Sequence, residues 1–457
     1  MWTYIYMAMR AVVLLLVFLA LPAPRTAAAE GAQSTDKILL QADGFQLAPG
    51  AQYPAGWTTN SRLSEFCPDF NVAIQPSLDG PGSLRISGGA HHAASGCWQT
   101  VVEGISPERW YGFEAFFQAK GVAWPKRQAM ARLYWLDGQG CSISMPEFVP
   151  ESHPAGDWQP VAATYRPPKN TAAVRIELFL SHCPQGEVYW DRISLKEVPE
   201  PPSRIVKVGS ANCRPTGRST NLGMAEQFIG VIEQAGRAGC DILLLGETIT
   251  LPARGSTPTM EKAEPVPGPI TGLFGRLAKK YGMYIIVGLL ENEHGTLYNT
   301  AALIDRQGGL AGKYRKVHLP LGDLEIGVTP GDHYPVFDTD FGRIGIMICY
   351  DQQFVDPARA LALQGAEILF CPNWGSKFPP SARAMENRVY IANSGYDTPT
   401  DIVDPNGEVI AKAEERPGVA MAEIDLNRPL REAGFARKKQ YLQRELRPDI
   451  RVTELER

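Results

Sequence analysis

The sequence lacks an excess of positive charge, and it has no long apolar run after its first thirty residues. Its 457 residues include 45 Lys or Arg and 49 Asp or Glu, which gives a formal net charge of −4. A protein without a basic surface field attracts nucleic acid poorly, so we expect no nucleic-acid partner. Because no later segment is long and apolar enough to cross a bilayer, we expect no membrane association once the N-terminal segment is removed.

Motifs that hold cofactors or metals are missing as well. The sequence contains no Gly-rich phosphate loop of the P-loop or Rossmann form. No cluster of His, Cys and carboxylates has the spacing of metal ligands, and the pair His91-His92 alone is weak support for a metal site. The sequence therefore implies neither a cofactor nor a metal.

The first 29 residues form a distinct segment. Arg10 precedes an apolar run over residues 11–20, and three alanines at 27–29 precede Glu30. A cationic residue, a short apolar core and a small-residue cleavage site are typical of a secretory signal peptide. The run is shorter than the roughly 20 residues of a spanning helix. We therefore expect residues 1–29 to be removed and the protein to be secreted or periplasmic, with a retained N-terminal anchor as the alternative.

The eight cysteines divide evenly between the two halves of the chain. Export implies an oxidising compartment, where the four cysteines of the first half would form two disulfides. Four cysteines allow three pairings, and the sequence does not choose among them. The pairing we favour is Cys67 with Cys97 and Cys141 with Cys183. Besides Cys349, the cysteines of the second half lie in apolar patterns and are predicted to be buried small side chains: Cys213, Cys240 and Cys371.

Two regions of different periodicity follow the signal segment. Over residues 35–198, short runs alternate apolar and polar residues, as at 83–86 and 173–180, and Gly, Pro and Asp clusters separate them. Many short strands with turn signals between them predict a β-sandwich or jelly roll without helices. A proline-rich stretch at 199–203 is predicted to be a linker, since proline stiffens the chain and prevents strand pairing.

The second region, residues 204–430, alternates strand and helix patterns. Apolar runs at 205–209 and 242–245 predict buried strands, and helical spacing of apolar residues over 221–238 predicts a helix between them. This alternation indicates an α/β domain whose sheet is buried on both faces. The remaining residues, 431–457, form a charged, helix-prone extension that we expect to exchange between subunits.

Three polar residues follow strand-like runs in this second region: Glu247, Lys316 and Cys349. A residue just past a buried strand lies at the edge of the sheet where open α/β sheets place their ligands. Each residue alone has an ordinary structural explanation. The Cys would be inert core, the Glu a helix cap or a surface group, and the Lys one more solvated charge.

Taken together, the three strings resemble the nitrilase superfamily of carbon–nitrogen hydrolases over about residues 205–427. An apolar strand ends in Glu247, the string Tyr-Arg-Lys-Val-His-Leu follows at 314–319, and an apolar strand ends in Cys-Tyr-Asp at 349–351. A later string at 383–390 also fits. One departure is Gly246, where the family usually has Pro. The resemblance implies a four-layer αββα sandwich, no cofactor, and a homodimer or larger assembly.

The resemblance also implies roles for these residues. Cys349 would be the nucleophile that attacks an amide-like carbon, and Glu247 would be the general base that takes its proton and later activates water. Lys316 and the backbone N–H of Tyr350 would stabilise the negative charge that develops on oxygen. A thioester on Cys349 would remain for water to hydrolyse.

Supporting roles fall to residues around these three. Glu325 matches a second Glu of the family and is predicted to orient Lys316 and the substrate, unless it is an exposed loop carboxylate. Trp374 is predicted to wall the substrate pocket, and His318 to hold the loop after Lys316. A further group shares one helix face and is predicted to form a buried polar network behind the nucleophile: Arg383, Glu386 and Asn387.

The first region resembles the jelly-roll carbohydrate-binding modules of the galactose-binding-like class. The resemblance depends on residues 83–86, 97–101, 111–119 and 188–195. It implies polysaccharide as a partner, since exposed Trp and Tyr rings stack on sugar faces. Most such rings in a sandwich are core, so we assign no sugar contacts from the sequence.

Several functions use the same three residues. We favour an amidase over an N-carbamoyl hydrolase or a nitrilase, because Tyr350-Asp351 replaces the Trp-Glu that often follows Cys in nitrile-cleaving relatives. An alternative of another class is a glycan-binding protein with a non-catalytic hydrolase-like domain. A third alternative is acyl transfer, but the exported relatives that perform it carry several spanning helices, which this sequence lacks.

Overall fold

The computed structural model describes residues 37–151, 156–251 and 260–427. The predicted signal peptide, residues 1–29, and the predicted charged extension, residues 431–457, lie outside the described residues. Within the described ranges, no helix has the length and apolar character needed to cross a membrane.

Residues 38–198 form two antiparallel sheets. The first sheet has the order β3-β4-β11-β6-β9, with β1 also paired to β11, and the second has the order β2-β5-β10-β7-β8. A short helix α1 and a 3-10 turn at Ser64–Phe66 are the helical pieces described here, so the prediction of a helix-free region was wrong in this detail. The elements are β1 (Ile38–Ala42), β2 (Thr58–Asn60), β3 (Asp69–Ala73), β4 (Ser83–Ser87), β5 (Ser95–Glu103), β6 (Trp110–Lys120), α1 (Pro125–Gln128), β7 (Ala129–Leu136), β8 (Glu147–Phe148), β9 (Gln159–Tyr165), β10 (Ala173–Ser181) and β11 (Glu187–Val198).

One apolar cluster contains side chains from both of these sheets. Phe113 and Trp190 come from the first sheet, and Trp98 and Leu178 come from the second. Side chains of a strand alternate between its two faces, so residues two apart enter the cluster along most of these strands, as at 111, 113, 115 and 117 of β6. A bulge in β11 shifts the alternation between Trp190 and Ile193. The alternation read from the sequence therefore accounts for the apolar interior of residues 38–198.

All eight cysteines are free thiols in the structure, so the two predicted disulfides are absent. Each predicted pair joins a buried residue to an exposed one, since Cys97 and Cys183 are buried whereas Cys67 and Cys141 are exposed. Cys183 packs into the apolar cluster, where its sulfur lies 2.2 Å from the position that a Cβ on Gly186 would take.

Residues 205–425 form two mixed sheets of six strands each, with the orders β16-β15-β14-β13-β12-β23 and β17-β18-β19-β20-β21-β22. The central pairs β12-β13, β13-β14, β18-β19 and β19-β20 are parallel. The elements are β12 (Ile205–Asn212), α2 (Asn221–Glu226), α3 (Ile229–Arg237), β13 (Ile242–Leu244), α4 (Pro269–Tyr281), β14 (Tyr284–Glu293), β15 (Thr296–Ile304), β16 (Leu310–Arg315), α5 (Leu321–Glu325), β17 (Val336–Asp338), β18 (Arg343–Ile346), α6 (Asp356–Leu363), β19 (Ile368–Asn373), α7 (Pro380–Asn387), β20 (Tyr390–Gly395), β21 (Asp401–Val403), β22 (Val409–Lys412) and β23 (Gly418–Asp425), with 3-10 helices at Met260–Lys262 and Cys349–Gln353.

Four layers result from the packing of these two sheets. Side chains of both sheets, such as Ile286 and Phe370, form an apolar cluster between them. Helices α2, α3 and α4 cover the outer face of the first sheet through residues such as Phe274. Helices α6 and α7 cover the outer face of the second through residues such as Leu361. This helix–sheet–sheet–helix order is the nitrilase-type fold that the sequence predicted for this region.

Candidate active site

The turn after β18 carries Cys349 in an unusual backbone conformation. Cys349 is the first residue of the 3-10 helix Cys349–Gln353, and its φ is +44°, in the left-handed region that residues with a Cβ rarely adopt. Such strain persists where the surroundings fix it, and it is concentrated at functional sites. The turn therefore presents the thiol at the end of the strand at some conformational cost.

A buried carboxylate holds this turn in place. Asp351 is fully buried, and its oxygens accept hydrogen bonds from the backbone N–H of Ile348 at 2.8 Å and from the Tyr314 hydroxyl at 2.7 Å. It also accepts from the backbone N–H of His318 at 2.9 Å, and the His318 ring stacks on Phe354 with centroids 4.0 Å apart. The string around Lys316 is thus tied to the string around Cys349, which agrees with the structural role predicted for His318.

The predicted polar network lies on α7 behind the nucleophile. Arg383 donates from Nε to the carbonyl of Gln352 at 3.1 Å and from Nη2 to the carbonyl of Gln353 at 3.2 Å. Its Nη1 donates to Glu386 at 2.8 Å, and the Asn387 amide donates to the Arg383 carbonyl at 2.9 Å. The guanidinium satisfies carbonyls at the end of the 3-10 helix, so this group supports the turn and does not contact the thiol.

Glu247 lies just past β13 with its carboxylate buried and fixed by three donors. Its Oε1 accepts from Lys316 Nζ at 2.9 Å and from Asn299 Nδ2 at 2.8 Å. Its Oε2 accepts from the backbone N–H of Trp374 at 2.6 Å. Donors from both sheets therefore determine the direction in which this carboxylate points.

Lys316 is fully buried between two carboxylates. Its Nζ lies 2.9 Å from Glu247 Oε1 and 3.0 Å from Asp323 Oδ2. Asp323 belongs to the short helix α5, whose last residue is Glu325. Glu325 is exposed and lies outside the cavity lining, so the prediction that it orients Lys316 was wrong and Asp323 takes that position. The two residues are half a turn apart, which directs their side chains to different sides of the helix.

These side chains line a cavity of about 380 Å³. Of the residues predicted from the sequence, Glu247, Lys316, Cys349, Tyr350 and Trp374 line it and Glu325 does not. The wall combines polar groups with apolar side chains, as ligand cavities commonly do. The other lining residues are Thr248, Leu251, Leu290, Asn299, Pro320, Gly322, Asp323, Ile326, Val328, Gln353, Gly375 and Ser376.

Burial and neighbouring charges set the protonation of the two reactive groups. Burial raises the pKa of the Cys349 thiol to about 12, and the negative charge of Glu247 adds to the rise. The charge of Lys316 and the backbone N–H groups of Trp374 and Gly375 act in the opposite direction. Burial, the largest single influence, lowers the pKa of Lys316, but the charges of Glu247 and Asp323 and the hydrogen bond to Glu247 act in the opposite direction, and the net shift is upward. At neutral pH the site therefore holds a thiol and an ammonium.

Two residues of this site were missed by the reading of the sequence. Asn299 lies on β15 and donates to Glu247, and Asp323 binds Lys316. Asn299 directly precedes the largely apolar run at 300–304 of β15, so a polar residue at the edge of an apolar run was a usable signal. The backbone N–H of Trp374 gives no signal in a sequence, because every residue except proline has one.

Comparison with known proteins gives a family for this region. Residues 207–429 match the family described as carbon-nitrogen hydrolase. Omega-amidase NIT2-A of Xenopus laevis is 35% identical over 243 residues, which cover 46% of this chain and 84% of the relative. Deaminated glutathione amidase of Mus musculus is 30% identical over 230 residues, which cover 43% of this chain and 71% of the relative. A solved carbon-nitrogen hydrolase from Helicobacter pylori G27 aligns with a TM-score of 0.46 and 24% identity, over 56% of this chain and 99% of that chain.

The matched residues 207–429 include Glu247, Lys316, Cys349 and every other residue that lines the cavity. The identity to the amphibian relative extends over most of that relative's length. The chain therefore belongs to the carbon–nitrogen hydrolase family, as an enzyme that cleaves carbon–nitrogen bonds.

Proposed function

We propose that this protein is an exported amidase that hydrolyses a non-peptide amide through a thioester on Cys349. The observation that carries the proposal is the shared cavity of Cys349, Glu247 and Lys316, in which the ammonium bridges two carboxylates. A nucleophile, a base fixed by hydrogen bonds and a buried cation are the groups that acyl transfer to water needs.

The first half-reaction starts from the thiol. Its raised pKa keeps Cys349 protonated near neutral pH, so Glu247 accepts the proton as the sulfur bonds to the amide carbon. The ammonium of Lys316 and the backbone N–H of Tyr350 stabilise the charge on the carbonyl oxygen. The carbon–nitrogen bond then breaks, Glu247 returns the proton to the leaving nitrogen, and ammonia or an amine departs.

The second half-reaction uses water. Glu247 accepts a proton from water while the water oxygen attacks the thioester carbon, and the carbon–sulfur bond breaks. The departing sulfur recovers the proton from Glu247, and a carboxylic acid leaves. Because the donors from Asn299 and Trp374 hold the carboxylate in one direction, the same group serves both half-reactions without reorientation.

Amides are the favoured substrates among the reactions that these residues support. Two of the relatives are named amidases, an omega-amidase and a deaminated glutathione amidase, and Tyr350-Asp351 follows the nucleophile. N-carbamoyl groups and nitriles are the alternatives, and the shape of the pocket decides between them. A glycan-binding protein without turnover is the alternative of another class, and the complete set of Glu247, Lys316 and Cys349 argues against it.

Export and assembly complete the proposal. The sequence of residues 1–29 supports cleavage of a signal peptide and a secreted or periplasmic enzyme. We expect a homodimer or a larger assembly, since members of this superfamily commonly pair through the sheet domain. A monomer in light scattering of the mature protein would contradict that expectation.

Polysaccharide is the proposed partner of the region at 35–198. Supporting this, Tyr134 and Phe179 are partly exposed on the outward face of the second sheet, beside the guanidinium groups of Arg132 and Arg175. Rings and planar hydrogen-bonding groups on one face suit sugar rings and their hydroxyls. In native gel electrophoresis, we expect the mature protein to migrate more slowly when the gel contains a polysaccharide to which it binds. We expect Tyr134→Ala to abolish this retardation. Equal mobility in every polysaccharide gel would contradict the proposed partner.

The experiment that tests the amidase proposal is a substrate panel. The mature protein, from about Glu30, is incubated with simple amides, N-carbamoyl amino acids and nitriles, and ammonia is assayed. We expect release from amides by the wild type, none by Cys349→Ala, and unchanged release by Cys240→Ala, which alters a buried cysteine outside the cavity. Equal release by wild type and Cys349→Ala would exclude the thiol mechanism.

A further inference from the structure

The turn that carries Glu247 is held from the opposite sheet by an aromatic ring. We propose that Tyr396 is a positioning residue for Glu247, and that Gly246 is required because the ring of Tyr396 occupies the space beside it. The proposal rests on the proposed function, in which Glu247 is the general base. It also accounts for the glycine at a position where the nitrilase superfamily usually has proline.

Glycine is required at position 246 because it lacks a Cβ, and not because the backbone there adopts a positive φ. Its φ is not positive, whereas Thr248, two residues later, has a φ of +39°. A Cβ on Gly246 would lie 2.2 Å from the hydroxyl oxygen of Tyr396 and 2.5 Å from its Cζ. These distances are far below van der Waals contact, so any larger residue at this position must displace the ring.

The ring itself is not free to move aside. Tyr396 follows β20, its backbone N–H donates to the carbonyl of Asn373 at 3.1 Å, and its carbonyl accepts from Arg416 Nη2 at 2.7 Å. The ring packs edge-on against Trp374 with centroids 5.0 Å apart and an angle of 86°. Only 3% of Tyr396 is exposed. The ring is therefore fixed between the end of the second sheet and the turn of the first.

The other side of the same turn is closed by backbone. A Cβ on Gly288 of β14 would lie 2.5 Å from the carbonyl oxygen of Gly246 and 2.7 Å from the Cα of Glu247. The N–H of Gly288 donates to that carbonyl at 3.0 Å, and its own carbonyl accepts from Ile249 at 2.9 Å. The turn thus lies between Gly288 on one side and Tyr396 on the other, which fixes the Cα of Glu247.

The same ring supports a donor to the carboxylate of Glu247. Trp374 packs on Tyr396 and donates its backbone N–H to Glu247 Oε2 at 2.6 Å. The hydroxyl of Tyr396 is buried and has no hydrogen-bond partner among the described residues. The contribution of Tyr396 therefore comes from the volume of its ring and not from its hydroxyl. Tyr396→Phe keeps the ring and should preserve the positioning, whereas Tyr396→Leu removes the ring and should impair it.

The test compares single and paired substitutions in the full mature enzyme. We expect Tyr396→Phe to retain kcat within about threefold, because the ring remains. We expect Tyr396→Leu and Gly246→Ala each to lower kcat by about 100-fold with little change in KM, since a displacement of about 1 Å at a catalytic group costs that much. We expect the double variant Gly246→Ala/Tyr396→Leu to keep kcat within about threefold of Tyr396→Leu, because the smaller side chain makes room for the Cβ, whereas independent effects of the two substitutions would multiply.

Controls separate folding, the proposal and the proposed function. Gly272→Ala, on α4 with open space around its Cβ position, is expected to keep full activity. Tyr396→Leu introduces no clash, so it remains informative if Gly246→Ala fails to fold in thermal unfolding. If Glu247→Gln keeps the wild-type kcat, the proposal that Glu247 is the general base and the proposal that Tyr396 positions it are both wrong. If Glu247→Gln is inactive but Tyr396→Leu is fully active, or Tyr396→Phe is as impaired as Tyr396→Leu, the positioning proposal alone is overturned.

Discussion

At the scale of single residues, the site combines a neutral thiol with a carboxylate that three hydrogen-bond donors hold in one direction. Three donors reach Glu247, from Lys316, Asn299 and Trp374. Burial of Cys349 disfavours its thiolate. Proton transfer from sulfur to Glu247 is therefore coupled to bond formation, because a free thiolate is not stable beforehand.

The protonation of Cys349 gives a first prediction. Because its pKa is raised to about 12, we expect the rate of its alkylation by iodoacetamide to rise about tenfold per pH unit from about pH 7 to about pH 9.5, without levelling off. N-acetylcysteine, with an ordinary thiol pKa of about 8.5, levels off within this range. The measurement is the fraction of alkylated Cys349 peptide by mass spectrometry at each pH. A plateau for Cys349 below about pH 8 would contradict the raised pKa.

The two acidic residues of α5 give a second prediction. We expect Asp323→Asn to lower kcat by about tenfold or more, because Lys316 then loses one of the two carboxylates that hold its ammonium. The matched variant Glu325→Gln, two residues away on an exposed side of the same helix, is expected to retain kcat. Steady-state kinetics on an amide substrate measures both. The opposite ranking would restore the role that the sequence predicted for Glu325.

At the scale of elements, strand ends were the most informative part of the sequence. Glu247 and Cys349 each follow an apolar run and Lys316 follows a more polar strand-like run, and β13, β16 and β18 end beside one cavity. The sequence pattern did not predict which acidic side chain of the short helix α5 points toward Lys316. The face of α5 that meets Lys316 depends on the residue at which the helix begins, so Glu325 was chosen instead of Asp323. The pattern also predicted one helix over 221–238, where α2 ends at Glu226 and α3 begins at Ile229, because the apolar spacing continues across the break.

A capping carboxylate gives a third prediction, at the start of α4. Glu264 is buried, its Oε1 accepts from the backbone N–H of Ile270 at 2.9 Å, and burial raises its pKa from the ordinary 4.5 to about 7. A carboxyl whose native pKa is raised contributes its full stability below about pH 4.5 and loses it as the pH rises to about 7. The wild type should therefore lose stability across this range in a way that Glu264→Gln, which cannot ionise, does not.

Urea unfolding from pH 5 to pH 8 measures this difference. We expect the free energy of unfolding of Glu264→Gln, relative to wild type, to rise by on the order of 2 kcal/mol across this range. The exposed Glu261 provides the control, and Glu261→Gln should show no such trend. A constant difference between Glu264→Gln and wild type at all pH values would contradict the raised pKa.

At the scale of the whole molecule, the cavity depends on both sheets of the hydrolase region. Glu247 and Lys316 follow strands of one sheet, and Cys349 and Trp374 follow strands of the other. The sequence could place these residues at strand ends, but it could not predict the distances between them, since those distances depend on how the two sheets pack. Gly246 and Tyr396 are 150 positions apart in the sequence, and their contact could not be predicted from it. Only the packing of the two sheets brings the ring of Tyr396 beside the turn at Gly246.

The most direct test of the central claim is a search for the acyl group on Cys349 during turnover. The mature enzyme is mixed with an amide substrate, quenched in acid within the first turnovers, and digested for mass spectrometry. We predict that the peptide containing Cys349 gains the mass of the acyl group, and that the gain is absent in Cys349→Ala and is removed by hydroxylamine. Turnover without an adduct on Cys349, at a rate unchanged in Cys349→Ala, would contradict the thioester mechanism and the assignment of the nucleophile.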